Sequence, residues 1–142
     1  MQITTWFLAR EEEAEAIASI VTTEEHSPEE WPYIEFPLIE MELMALAAVV
    51  QEDEALATRP ISEEPLVWDD EGLGVMRVKD PFIQALARVA PGRILGLVEA
   101  WAERMDPDDH EPARLRELLS TLSGFARESV ARQRPVLQLV TF

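Results

Sequence analysis

The sequence predicts an α+β fold: one domain over residues 1–142, with a small, mostly antiparallel or mixed sheet of about four strands covered by helices. Three observations carry this expectation. β-rich apolar segments stand near both ends of the chain. A pair of them, joined by a turn, lies mid-chain. The stretches between carry apolar residues at helical spacing. The order read from the sequence is β-α-α-β-β-α-α-α-β. This is not the regular alternation of a doubly wound sheet.

Each element has its own reason. Residues 3–8 place Ile3, Thr5 and Phe7 on one face and Thr4, Trp6 and Leu8 on the other, which predicts a strand buried on both sides. Residues 10–21 align Ala14, Ile17, Ala18 and Val21 as one helical stripe. Glu11, Glu12 and Glu13 fall in the first turn, where the helix dipole favours negative charge. Residues 22–36 read as irregular, because Pro28 and Pro32 interrupt regular structure. Pro37 suits the first turn of a second helix running to about Gln51, apolar almost all round and so expected at the centre. Residues 52–64 read as an acidic linker.

Residues 65–69 and 73–78 predict a hairpin. Asp69-Asp70-Glu71-Gly72 is its turn, with Gly72 free to take positive φ. Asp80-Pro81 opens a helix buried through Phe82, Ile83, Leu86 and Val89. Pro91-Gly92 interrupts before a helix over residues 93–105, with Ile94, Leu97, Val98, Trp101 and Met105 on one face. Pro112 opens the last helix, whose stripe is Leu115, Leu118, Leu119, Leu122, Phe125 and Ala126. Pro135 ends it, and an apolar strand finishes the chain. Both terminal strands are too apolar for exposed edges, so they are expected to pair or to sit centrally. Trp6, Trp68 and Trp101 lie in regular elements and are expected in the core.

Composition narrows function. The 142 residues are 47% apolar, which is normal for a globular chain and too high for a disordered acidic tail. With no cysteine there is no disulfide, thiol or zinc-finger chemistry. The 28 acids outnumber the 12 bases for a net charge of −16, which argues against nucleic acid and anionic membrane as partners. The first residues show no secretory pattern, and the longest apolar run, residues 43–50, is far below the roughly 20 that span a membrane. A cytoplasmic location is therefore expected.

The charge is unevenly divided. The first 71 residues hold 19 acids and two bases, Arg10 and Arg59, a net −17. The last 71 hold nine acids and ten bases, a net +1. Such asymmetry is compatible with an interaction surface, but the plainer reading, that it only keeps the protein in solution, accounts for it at least as well.

One pattern covers most of the chain. It runs from Trp31-Pro32 through Phe36-Pro37 into the apolar helix ending at Val50. It resumes from Gly74-Val75 through Val78, Asp80, Phe82, Leu86-Ala87 and Trp101-Ala102 to the terminal strand. It resembles small bacterial α+β proteins with no assigned activity. Its positions are mainly apolar, so the resemblance implies fold and transfers no catalytic residue.

Catalytic motifs are absent from the sequence. His26 and His110 have no accompanying nucleophile elbow, since none of the serines sits in G-x-S-x-G. Gly72 and Gly74 form only G-x-G, so no phosphate loop and no cofactor are expected. Asp106, Asp108 and Asp109, with His110 and Glu111, are the densest potential metal ligands. An EF-hand loop counted from Asp106 would place Glu111 where glycine is needed, and capping and dipole complementarity at the start of the following helix account for these acids better.

The most informative polar stretch sets Trp31 and Tyr33 among Glu24, Glu25, Glu29, Glu30 and Glu35. Aromatic anchors concentrate interface energy, and flanking carboxylates steer a basic partner. The competing reading is that Trp31, Tyr33 and Phe36 fold back to cap the core. The last helix gathers Arg114, Arg116, Arg127, Arg132 and Arg134, which could form a solvated face, pair with the acidic half within the chain, or drive head-to-tail association into a homodimer. The leading expectation is an acidic module, not an enzyme, that binds a basic protein as an immunity or inhibitor protein does. Its rivals are a metal-assisted enzyme using an acidic loop and a structural or oligomeric protein without small-molecule chemistry.

Overall fold

In the computed structural model, which describes residues 3–70, 72–105 and 110–141, an all-antiparallel sheet separates two helical layers of unequal size. In chain order the elements are β1 (Thr4–Leu8), α1 (Ala14–Thr22), β2 (Tyr33–Phe36), α2 (Glu40–Gln51), β3 (Ser62–Asp69), β4 (Leu73–Val78), α3 (Asp80–Ala87), α4 (Ile94–Ala102), α5 (Pro112–Arg132) and β5 (Val136–Thr141). The five strands lie in the order β2-β1-β5-β4-β3.

The two terminal strands sit centrally, as their apolar sequences require. All five residues of β1 are buried, and so are Val136 to Val140 of β5. They pair antiparallel, with Trp6 opposite Gln138. Gln138 is a polar residue in the middle of the sheet. Its side-chain oxygen accepts the Trp6 indole N–H at 2.9 Å, so that buried donor is satisfied.

Alternation along the strands divides the core. Trp6, Leu8, Phe36, Val78 and Val136 face the thicker layer of α2, α3, α4 and α5. There Trp6 meets Phe36 and Phe82 edge-on, with centroids 5.1 and 6.1 Å apart. Phe7, Leu73, Val75, Leu137 and Leu139 face the other way, against Ala14, Ile17 and Ala18 of α1. Helix α2 buries Leu43 and Ala45 through Val49, as its all-round apolar character predicts. The Trp101 indole N–H donates to the Glu42 carbonyl at 3.0 Å and ties α4 to it. Helix α5 buries all six residues of its predicted stripe.

Four sequence expectations are corrected. The sheet has five strands, because Tyr33–Phe36 is a strand where the sequence suggested irregular chain. It is only four residues long, lies between Pro32 and Pro37, and pairs with β1, Trp6 opposite Ile34. Helix α2 begins at Glu40, since the chain after Pro37 stays extended to bury Leu38. Strand β3 begins at Ser62 and carries Pro65 inside it. This is tolerated because β3 is an edge and its pairing is irregular on both sides of the proline. Trp68 is 56% exposed and not core, whereas Trp6 and Trp101 are fully buried. Trp68 sits at the sheet edge opposite Gly74, where an added Cβ would lie 3.3 Å from its ring. The hairpin turn holds Gly72 at φ 103, as predicted. No helix among the described residues is long and apolar enough to cross a membrane.

Candidate functional site

The segment between α1 and β2 holds most of the residues singled out in the sequence. Helix α1 ends as Glu24 turns to φ 59 and its N–H reaches the Ser19 carbonyl at 2.8 Å. A short 3-10 turn, Pro28–Glu30, follows. Ser27, just before it, is held by two carboxylates of the turn. The Ser27 N–H donates to Glu30 Oε2 at 2.7 Å, and the Ser27 hydroxyl donates to Glu29. Glu30 also receives His26 Nδ1 at 3.1 Å. These contacts favour the ionised carboxylates. Both Glu29 and Glu30 are held below the usual carboxylate range, Glu29 by the Ser27 hydroxyl and Glu30 by the Ser27 N–H and then His26.

Trp31 and Tyr33 are half-buried. Both rest on Phe7, Trp31 edge-on at 5.8 Å and Tyr33 stacked at 5.9 Å. They cap the smaller core while keeping part of each ring at the surface. Phe36 is fully inside, on the opposite face of the sheet. Glu35 shares the Tyr33 face of β2 and is exposed. Glu24, Glu25, Glu29, Glu30, Trp31, Tyr33 and Glu35 therefore occupy one continuous piece of chain at the β2 edge of the sheet.

The structure adds residues that the sequence did not assign to this place. The Trp31 indole N–H donates to Glu13 Oε2 at 2.8 Å. That bond, with the Arg10 N–H donating to Oε1 at 3.0 Å, keeps the Glu13 carboxyl below its ordinary value of 4.5. Arg134 stands 4.0 Å from Glu13. Leu8, Glu13, Glu30, Trp31, Pro32, Arg132 and Arg134 line a cleft of about 500 Å³. The arginines of the last helix were visible in the sequence. Their approach to Trp31 depends on β5 and β1 pairing, which no local pattern encodes.

Pairing within the chain accounts for part of the charge asymmetry. Arg77 meets Glu11 at 3.2 Å, Arg93 meets Glu52 at 3.4 Å, Arg104 meets Glu54, and His110 meets Glu42 at 2.6 Å. Each joins the acidic half to the other half, as Arg134 does with Glu13. Arg93–Glu52 and Arg104–Glu54 line a second, larger groove of about 790 Å³ between α2 and α4. Its Glu52 and Glu54 are thus engaged with arginines. Asp106, Asp108 and Asp109 lie outside the described residues, and so does Glu71 of the hairpin turn. Among the described residues no group of three or more His, Asp or Glu side chains could hold a metal ion.

No known protein family, no curated protein and no solved structure matches the chain.

Proposed function

We propose that this chain is an acidic protein-binding module that occludes a basic partner, in the manner of an immunity or inhibitor protein. One observation carries this reading. Between β1 and β2, residues 10–32 hold eight carboxylates against a single arginine, Arg10, and this connection forms the thin layer over one face of the sheet. Only Glu11 and Glu13 among the eight meet an arginine of the described residues. The rest of that negative field faces solvent, with Trp31 and Tyr33 half-exposed within it. Carboxylates at 24, 25, 29, 30 and 35 steer a cationic surface, and the two rings supply rigid contact area.

The test is capture of a partner from cell lysate, and from the products of adjacent genes, at low and moderate salt. The expected partner is a basic protein. Charge reversal by Glu24→Lys with Glu25→Lys should slow its association and flatten the salt dependence. Trp31→Ala should speed dissociation, with an affinity loss of about tenfold or more. A captured partner that is neutral or acidic, or one indifferent to Trp31→Ala, would overturn the reading.

A further inference from the structure

A small hollow opens on the thicker helical layer where three connections meet. Helix α2 contributes Gln51 to its lining, and the 3-10 turn Glu54–Thr58 contributes Leu56. The lead into β3 contributes Ile61, and the start of α3 contributes Pro81 and Phe82. Ile61 and Phe82 are buried and belong to the main core. The backbone here is already committed. The Lys79 N–H donates to the Ile61 carbonyl at 2.8 Å, and the Ile61 N–H donates to Glu40 Oε1 at 3.2 Å. Pro60 and Pro81, which also line the hollow, carry no N–H to satisfy. Its volume is about 90 Å³. An apolar cavity of about 150 Å³ takes benzene, so this one admits an aliphatic group of about three to five carbons and excludes a ring.

Two cations line the same hollow, Arg59 and Lys79. Arg59 is exposed and Lys79 half-exposed, which keeps their charges on the solvent side. Neither forms an ion pair or a side-chain hydrogen bond with the described residues, although the chain holds 28 acids. The acids that touch this region are engaged elsewhere: Glu40 with the Ile61 N–H, and Asp80 with Arg77 at 2.9 Å. Two like charges beside an apolar hollow attract an anion. The remaining carboxylates of the chain oppose it weakly, because salt at 0.1 M screens charges beyond about 10 Å.

We propose that this hollow binds a short, branched aliphatic carboxylate. The hydrocarbon end lies among Leu56, Ile61 and Phe82, and the carboxylate meets Arg59 and Lys79. Two sources present this group: a free short-chain acid, and the carboxyl-terminal leucine or valine of a peptide. The hollow shares no residue with the Trp31 cleft, so it goes beyond the function proposed above and stands or falls separately.

The experiment titrates the intact, isotope-labelled chain with isovalerate and follows it by NMR. Lys79 is the only lysine of the chain, so its side-chain signal reports on the site directly. The expected result is a saturable shift at Lys79, Leu56 and Ile61 with a Kd of about 1 mM, as befits so small a ligand. Acetate, three carbons shorter, should bind at least about tenfold more weakly. Phenylacetate, too large, and isovaleramide, uncharged, should not bind. Arg59→Gln should weaken isovalerate about threefold or more, and adding Lys79→Gln should abolish the amide shifts. Both side chains reach the surface, so these variants should keep the wild-type melting temperature. Arg116→Gln, on the exposed face of α5, and Trp31→Ala should change nothing. An acetylated peptide ending in leucine separates the two sources. Binding tighter than isovalerate assigns the site to a chain terminus, and weaker binding assigns it to the free acid. A shift that does not saturate, equal binding of isovaleramide or phenylacetate, or full affinity in the double variant would overturn the proposal.

Discussion

Glu13 illustrates how one side chain can be fixed by the fold and still belong to a surface. Its carboxylate accepts the Trp31 indole N–H and the Arg10 N–H, so it holds the aromatic of the candidate site to the start of α1. Because those donors favour the ionised form, its folded pKa lies below the ordinary 4.5. The sign of the consequence follows. A group with a depressed folded pKa contributes stability that is fully present above its unfolded value and is lost as the pH falls through its folded one. Glu13→Gln removes the charge and keeps a carbonyl oxygen that can accept from Trp31. In urea titrations the wild type should exceed this variant by a constant margin from about pH 6 upward. The margin should shrink as the pH drops below 4.5. Glu29 and Glu30, also depressed, are common to both proteins and drop out of the difference. A margin independent of pH would show that the two hydrogen bonds do not distinguish the charged from the neutral carboxyl.

At the scale of elements, burial and not helix propensity sets the energetics. Helix α2 tests this within one segment. Leu46 is fully buried between the sheet and the other helices, whereas Met41, one and a half turns earlier, is 73% exposed. Leu46→Ala leaves a cavity and should cost about 2–5 kcal/mol. Met41→Ala should change stability by no more than about 0.5 kcal/mol. Denaturant midpoints at unchanged slope would measure both, and comparable losses would mean that α2 is not the central helix. The same contrast explains which elements were legible in the sequence. Helix α5 and strands β1, β4 and β5 carry long apolar patterns, and burial reproduces those patterns residue by residue. Strand β2 has four residues between two prolines and owes its existence to the ladder with β1, a partner more than twenty residues away that no local period reveals. Trp68 follows the strand pattern correctly but lies at an edge, and strand order is not encoded in alternation. The acidic segment with Trp31 and Tyr33 was readable because its residues are contiguous. Glu13, Arg132 and Arg134 join it only through the fold.

At the scale of the whole molecule, two electrostatic effects oppose each other, and their balance can be measured. Ion pairs tie the acidic half to the other half: Arg77–Glu11, Arg93–Glu52, Arg104–Glu54 and Arg134–Glu13. Each has at least one partner with a third or more of its side chain exposed, and pairs of that kind are worth about 0–1 kcal/mol at most. Against them stands a net charge of −16 on 142 residues, concentrated in one half of the sequence. Glu12, Glu15, Glu24, Glu25, Glu35, Glu63 and Glu64 form no ion pair with the described residues, so they contribute repulsion without a compensating contact. Added salt weakens both effects. The pairs are short-range contacts, while the repulsion sums over many charges at separations near the Debye length of about 10 Å at 0.1 M, where screening acts most strongly. The repulsion should therefore lose more. The melting temperature at pH 7 should rise as sodium chloride increases from about 0.02 to 0.3 M, well before specific salt effects dominate. Reversing two unpaired acids by Glu24→Lys with Glu25→Lys should reduce that rise, because less repulsion is left to screen. A melting temperature that falls over the same range would mean that the pairs between the halves outweigh the repulsion, and that the acidic layer is neutralised within the chain and not held ready for a cationic partner.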